Sequence, residues 1–216
     1  MYSETIFVNP LVLGIGGVAK VGKDTFLTKL AEKLNVPVVC FKFAHQLRVD
    51  LNLRLGDWLG VDFFTQDPAT KELLRPIMVY SAEFLRKDTR GLYFVNHLAD
   101  SMQGYTSKTI KTIRLGQQEF DFKNPLAKTP VDAIFAVTDL RFAEFEFDEI
   151  DFINANGISV HLSRSGVQPN NPVEERNESV LRSKCKIQLD IPTLDRQLEY
   201  ERNLDYVVSE ILSYKP

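Results

Sequence analysis

The run Gly17-Val18-Ala19-Lys20-Val21-Gly22-Lys23-Asp24-Thr25 combines two glycines, a lysine and a hydroxyl at a spacing that can hold phosphate. Glycines at 17 and 22 let backbone N–H groups turn inward around phosphate oxygens. Lys23 adds a point charge, and the N-terminus of a following helix adds its dipole. Gly17, Lys20, Val21, Gly22, Lys23, Asp24 and Thr25 are therefore expected to cradle the phosphates of a nucleoside triphosphate. Asp24 stands where the Gly-x4-Gly-Lys pattern usually carries Ser or Thr to hold magnesium, and Thr25 comes one place late. Magnesium keeps several waters in such sites, so both residues are candidate ligands through water, and which of them faces the metal stays open. The plain alternative is a Gly-rich turn capped by Asp24.

The loop needs a strand before it and a helix after it, and both are present. Leu11 to Gly16 reads as a buried strand, and Thr25 to Leu34 as a helix with Phe26, Leu27, Leu30, Ala31 and Leu34 on one stripe. The β-branched and aromatic run Val36 to Phe43 predicts a second strand, with a helix from Ala44 to about Leu59. Ala69 to Lys87 predicts a long helix kinked or restarted at Pro76, and Gly91 to Met102 another. Val131 to Val137 is a buried strand that ends in Thr138-Asp139-Leu140-Arg141, polar groups at the carboxyl edge where open α/β sheets bind ligands. Phe142 to Asn154 reads as a helix, Gly157 to Leu162 and Lys186 to Ile191 as strands, and Leu194 to Leu212 as a closing helix.

Two stretches lack a clear period. Gln103 to Pro130 is polar and reads as an insertion, and Ser165 to Ser183 is rich in Pro, Asn and charge, as a mobile lid would be. Strands alternating with helices predict one α/β domain over 1–216 with a central parallel sheet of about five strands in three layers. Its core is expected at about 6–43, 131–164 and 184–216, with a helical region at 44–102, the insertion at 103–130 and the lid at 165–183.

Bulk properties narrow the class. With 44% hydrophobic and 25% charged residues, the 216-residue chain can bury a full core and is neither disordered nor fibrous. A net charge of −3 speaks against broad attachment to nucleic acid, leaving Lys108, Lys111 and Arg114 as a local basic patch. No apolar run approaches the roughly 18 residues that span a bilayer, so no membrane partner is expected. The first residues lack a basic start and an apolar core, so the expected location is cytoplasmic. Cys40 lies in an apolar run and is expected in the core, whereas Cys185, in a polar one, is expected to be incidental. His45, His97 and His161 show no spacing for a triad or a metal set and are expected to be structural.

Four stretches resemble the nucleoside monophosphate kinases, most closely the deoxynucleoside monophosphate kinases of bacteriophages. They are Gly22-Lys23-Asp24-Thr25, then Phe43-Ala44-His45-Gln46-Leu47-Arg48, then Leu74 to Glu83 followed by Tyr93-Phe94-Val95, and last Asp139-Leu140-Arg141-Phe142 with Gly157 to Arg164 and Asn177-Glu178-Ser179. Ser81-Ala82 replaces the family's Gly-Thr pair, and Phe94 stands where Trp can occur. The resemblance implies a P-loop kinase fold. It also implies ATP as donor with Mg²⁺, a (deoxy)nucleoside monophosphate as acceptor, and a host-cytoplasmic location if the chain is of phage origin.

It further implies roles for named residues. Lys23, Arg141 and Arg164 would stabilise the transferring phosphoryl group, while Phe43, Arg48, Arg75, Ser81, Phe94, Asp139 and Arg141 would meet the acceptor. Phosphoryl transfer asks for positioning and charge neutralisation more than covalent help, and arginine forks match phosphate oxygens. Asp139 could hold magnesium through water, orient Arg141 or meet the acceptor base or sugar. Two rival readings stand beside this one. A related P-loop kinase could act on another acceptor such as dephospho-coenzyme A, and a regulatory module could bind ATP without transfer. The sequence leaves open which bases are accepted and whether the chain pairs as a homodimer.

Overall fold

The computed structural model describes residues 10–106, 131–145, 148–169, 172–192 and 196–214. Strand β1 (Pro10–Gly16) feeds the glycine loop and then helix α1 (Lys23–Leu34). Next come β2 (Val38–Phe41), α2 (Ala44–Leu51), a π-helical turn over Asn52–Gly56, and a short α3 (Asp57–Leu59). Helices α4 (Pro68–Thr89) and α5 (Leu92–Gln103) lead towards β3 (Ala133–Leu140). The chain closes through α6 (Glu149–Asn156), β4 (Gly157–Ser163), α7 (Pro172–Lys184), β5 (Ile187–Asp190) and α8 (Gln197–Ser213).

The five strands form one sheet in the order β2-β3-β1-β4-β5, and every pairing is parallel. Parallel sheets need both faces covered, and alternate residues of β1 show how this one achieves it. Leu11, Leu13 and Ile15 pack with Phe26, Leu27 and Leu30 of α1 and with Leu204, Val207 and Ile211 of α8. Val12 belongs to the opposite core, with Phe135 and Val137 of β3, Leu47 and Leu51 of α2, Val95, Leu98 and Met102 of α5, and Phe152 and Ile153 of α6. This is the expected three-layer α/β architecture with a central parallel sheet of five strands.

Several local expectations are corrected. The stretch 165–183 is largely helix α7, whose charged surface hides a narrow inner line of Asn177, Leu181 and then Cys185. Cys185 is accordingly buried, and burial pushes its thiol up to about 12. Cys40 is exposed instead, because β2 is an edge strand and only Phe41 of its four residues is buried. Helix α4 runs unbroken through Pro76, which sits on its exposed side; it starts where the Asp67 carboxylate accepts from Thr70 N at 2.7 Å. Helix α6 begins at Glu149 rather than near Phe142, capped by the Asp148 carboxylate, which accepts from Glu149 N. In α8, Leu198 is exposed although Leu204, Val207 and Ile211 are buried. The insertion at 103–130 and the basic patch of Lys108, Lys111 and Arg114 lie almost wholly outside the described residues. Among the described residues no helix is long and apolar enough to cross a membrane.

Gly157 makes the tightest strand contact. It pairs with Val12, and a Cβ there would lie 1.8 Å from the Val12 carbonyl oxygen. Because backbone rather than a side-chain tip blocks the space, β1 and β4 would have to separate. Gly157→Ala should cost about 2–3 kcal/mol and lower the thermal midpoint by roughly 5–10 °C. An unchanged midpoint in a calorimetric scan would show that the two strands can yield there.

Candidate functional site

At the carboxyl edge of the sheet, β1 turns into the glycine loop with Gly17 at φ 121° and Gly22 at φ 108°, both in the left-handed region. A Cβ on Gly17 would lie 2.2 Å from the Leu162 carbonyl oxygen of β4, so glycine is required both for the turn and for the close approach. Lys20 also has positive φ and is exposed, while Val21 is buried beneath the loop. Lys23 opens α1, and its Nζ donates to the carbonyl oxygens of Gly17 at 2.6 Å and Val18 at 3.0 Å. Burial, and secondarily the charge of Arg141, hold the Lys23 amine below its ordinary value; Glu174, Asp24 and Glu178 oppose the shift. Asp24 and Thr25 are exposed in the first turn of α1.

Two neighbouring strand ends bring further cations. Arg141 follows β3 and is exposed, near enough to Lys23 to act on its charge. Arg164 follows β4, and its guanidinium lies beside Gly22, with Nη2 3.6 Å from where a Cβ would stand. Arg164 Nε is buried and has no hydrogen-bond partner among the described residues. Arg141 thus acts on the charge of Lys23, and Arg164 lies against the loop at Gly22, each coming from a different strand end.

Asp139 has a defined position. Its Oδ1 accepts from Phe43 N at 3.0 Å and its Oδ2 from Ala44 N at 3.1 Å, so the carboxylate ties β3 to the start of α2. This is favourable charge placement at a helix N-terminus. Helix α2 is also held near its other end, where Tyr93 Oη of α5 donates to the Asp50 carboxylate. Arg48 lies half-buried between these two ties.

The other acceptor candidates lie elsewhere. Arg75 is exposed on α4 and paired with Glu72 of the same helix at 2.9 Å. Ser81 is half-buried on α4. Phe43 is buried with its ring edge-on to Phe152, so it reaches the site only through its backbone. Phe94 is 2% exposed, with the Arg86 guanidinium 4.7 Å from its ring centroid. In this arrangement Phe94 is core packing and offers no open face to a base.

Below Arg141 lies a buried charge cluster that spacing alone did not single out. Arg86 of α4 donates through Nη1 to Asp148 Oδ1 at 3.1 Å and through Nη2 to Glu149 Oε1, while its guanidinium lies 3.4 Å from the Phe142 ring centroid. The other Glu149 oxygen accepts from Arg141 N at 3.0 Å and Phe142 N at 3.3 Å. The turn carrying Arg141 is therefore fixed from below by α6 and, through Arg86, by α4. One sequence signal was available: an acid pair immediately before the apolar positions of α6. Burial, opposed first by Arg86, pushes the Glu149 carboxyl up to about 7.

For magnesium, the chain offers the Thr25 hydroxyl and Asp24 carboxylate at the start of α1. Asp139 is already engaged by two amides. Among the described residues no group of three or more His, Cys, Asp or Glu lies together as a metal site. A magnesium ion held there would keep most of its waters and take its other ligands from substrate phosphates.

No family model matches this sequence, and no curated protein matches it. Among solved structures, the chain is similar to shikimate kinase from Bacteroides thetaiotaomicron, with 12% identity over 92% of this chain and 96% of that one and a TM-score of 0.44. It is similar to dephospho-CoA kinase from Campylobacter jejuni, with 12% identity, coverage of 93% and 96%, and a TM-score of 0.48. A third is TT1252 from Thermus thermophilus, with 16% identity, coverage of 94% and 98%, and a TM-score of 0.47. Likenesses this distant carry no chemistry across, and the site has to be read from its own residues.

The Glu149 carboxyl, held above its ordinary value of 4.5, binds its proton more tightly in the folded chain. Its stabilising contribution is therefore complete below pH 4.5 and lost as pH rises through about 7. Glu149→Gln cannot titrate but keeps an acceptor for the two amides. Melting both proteins between about pH 5 and 8 should show the wild type losing stability relative to the variant as pH rises. A difference independent of pH would contradict the raised carboxyl.

Proposed function

We propose that the chain is an ATP-dependent phosphotransferase that passes the γ-phosphoryl group of ATP to the 5′-phosphate of a (deoxy)nucleoside monophosphate. The observation that carries this reading is the meeting of Lys23, Arg141 and Arg164 at the ends of β1, β3 and β4, around a glycine loop with left-handed φ at Gly17 and Gly22. Three cations on rigid elements suit a reaction in which charge spreads over the oxygens of the moving group.

In the proposed step an oxygen of the acceptor phosphate bonds to the γ-phosphorus, and the bond from that phosphorus to the β,γ-bridging oxygen breaks. ADP leaves and a nucleoside diphosphate forms. Magnesium bound with the nucleotide supplies charge neutralisation between the phosphates. The loop amides and Lys23 hold the donor. Arg141, fixed from below by Glu149, faces the transferring group, and Arg164 reaches it from the β4 side. Arg48, on the helix tied to Asp139, would hold the acceptor phosphate, with Arg75 available only after leaving Glu72.

An acceptor phosphate is already anionic near neutral pH and needs no base, whereas a hydroxyl acceptor usually needs a positioned carboxylate. Asp139, the carboxylate at the end of β3, has both oxygens engaged by the Phe43 and Ala44 amides. That favours a phosphate over a hydroxyl as the acceptor.

Incubation with ATP, magnesium and each common nucleoside monophosphate should form ADP in step with at least one of them. Turnover no greater than the ATPase background on every monophosphate would overturn the reading, and preferential turnover of a hydroxyl acceptor such as dephospho-coenzyme A would overturn its acceptor class. Lys23→Ala should lower the rate by roughly two to three decades while leaving the thermal midpoint nearly unchanged. A variant retaining wild-type rate would remove Lys23 from the mechanism.

A further inference from the structure

Helix α7 reaches the phosphate loop with a carboxylate. Glu174, in its first turn, places Oε1 2.9 Å from Ala19 N, an amide between Gly17 and Gly22. One turn along, Glu178 Oε1 lies 2.9 Å from Nε2 of His161, which is fully buried in β4. A turn further, Leu181 covers Gly16, where a Cβ would lie 3.0 Å from Leu181 Cδ2. Three side chains at positions 174, 178 and 181 thus lay one face of α7 across the ends of β1 and β4 and the loop that follows β1. The loop's own cation is turned inward in this arrangement, with Lys23 Nζ on the carbonyls of Gly17 and Val18.

A charged carboxylate on a loop amide uses the same hydrogen bond and the same electrostatics as a phosphate oxygen. We propose that Glu174 is an internal anion that holds α7 on the phosphate loop and yields the Ala19 amide to a phosphate of the donor. The inference rests on the reading of this loop as a triphosphate site and adds how that site is regulated. A donor triphosphate competes with Glu174 for one amide and repels its charge. Donor binding is weakened by the latch, and α7 leaves the loop when the donor arrives. Leu181, packed on Gly16, keeps the helix near the sheet edge, so the release starts at its N-terminal turn.

The experiment measures ATP and adenosine affinity by calorimetry for the wild type, Glu174→Ala and Glu174→Gln, with hydrogen exchange followed over α7. Removing the carboxylate should tighten ATP binding on the order of tenfold, with Glu174→Gln between the two and adenosine unaffected. In the wild type, ATP should speed exchange in the first turns of α7; in Glu174→Ala those turns should exchange fast without it. If the wild type binds ATP and Glu174→Ala binds it equally or more weakly, the latch is refuted while the loop reading stands. If neither protein binds ATP although both melt normally, the loop reading falls and the latch with it. Tightening equal for ATP and adenosine would also refute the latch, because the competition is for phosphate.

Discussion

Strand β1 is hydrogen-bonded to β3 on one side and β4 on the other, so the turns that leave these three parallel strands emerge at one edge of the sheet. Each delivers a cation: Lys23 after β1, Arg141 after β3 and Arg164 after β4. The register is enforced by backbone. Gly157 lets β4 approach the Val12 carbonyl, and Gly17 lets the loop turn against the Leu162 carbonyl. Neither approach leaves room for a side chain. Burial first, and then the charge of Arg141, lower the affinity of Lys23 for its proton. A site of this kind suits a ligand with several negative charges, and the rigid sheet holds the cations together.

A second layer holds the turn that carries Arg141. Arg86, Asp148 and Glu149 are all buried, and ions taken out of water are costly unless fully paired. Here nearly every polar group has work: Arg86 meets both carboxylates and two aromatic rings, Asp148 caps α6, and Glu149 takes two backbone amides of the Arg141 turn. Burial raises the Glu149 carboxyl; Arg86 opposes the shift, and the charges of Asp148 and Asp139 add to it. The same cluster connects α4 to the end of β3, so a shift of that long helix would be felt at Arg141.

Where the sequence pattern was read well, local and tertiary forces agree. The glycine loop, α1 and the three central strands announce themselves because β-branched runs and a clean helical stripe are buried on the faces their periods imply. Helix α7 has no readable hydrophobic period because, among the described side chains, its buried line is Asn177 and Leu181 set among charges. The start of α6 was placed early because Phe142 looks like a helix position; its ring instead covers Arg86. Cys40 and Cys185 exchanged roles for a topological reason, since no local pattern says that β2 lies at an edge. Partners such as Asp139 with Phe43 and Ala44, or Glu174 with Ala19, lie 96, 95 and 155 residues apart and become visible only with the fold.

Transfer of a phosphoryl group from one nucleotide to another at these three strand ends, as proposed, has a direct signature. Phosphorus NMR of the protein with ATP, magnesium and an accepted monophosphate follows that group directly. The γ resonance of ATP should decline as the terminal phosphate of a second nucleoside diphosphate appears beside that of ADP, in equal amount and without accumulation of inorganic phosphate. Loss of the γ resonance into inorganic phosphate alone, or into a phosphate ester on a hydroxyl, would contradict it.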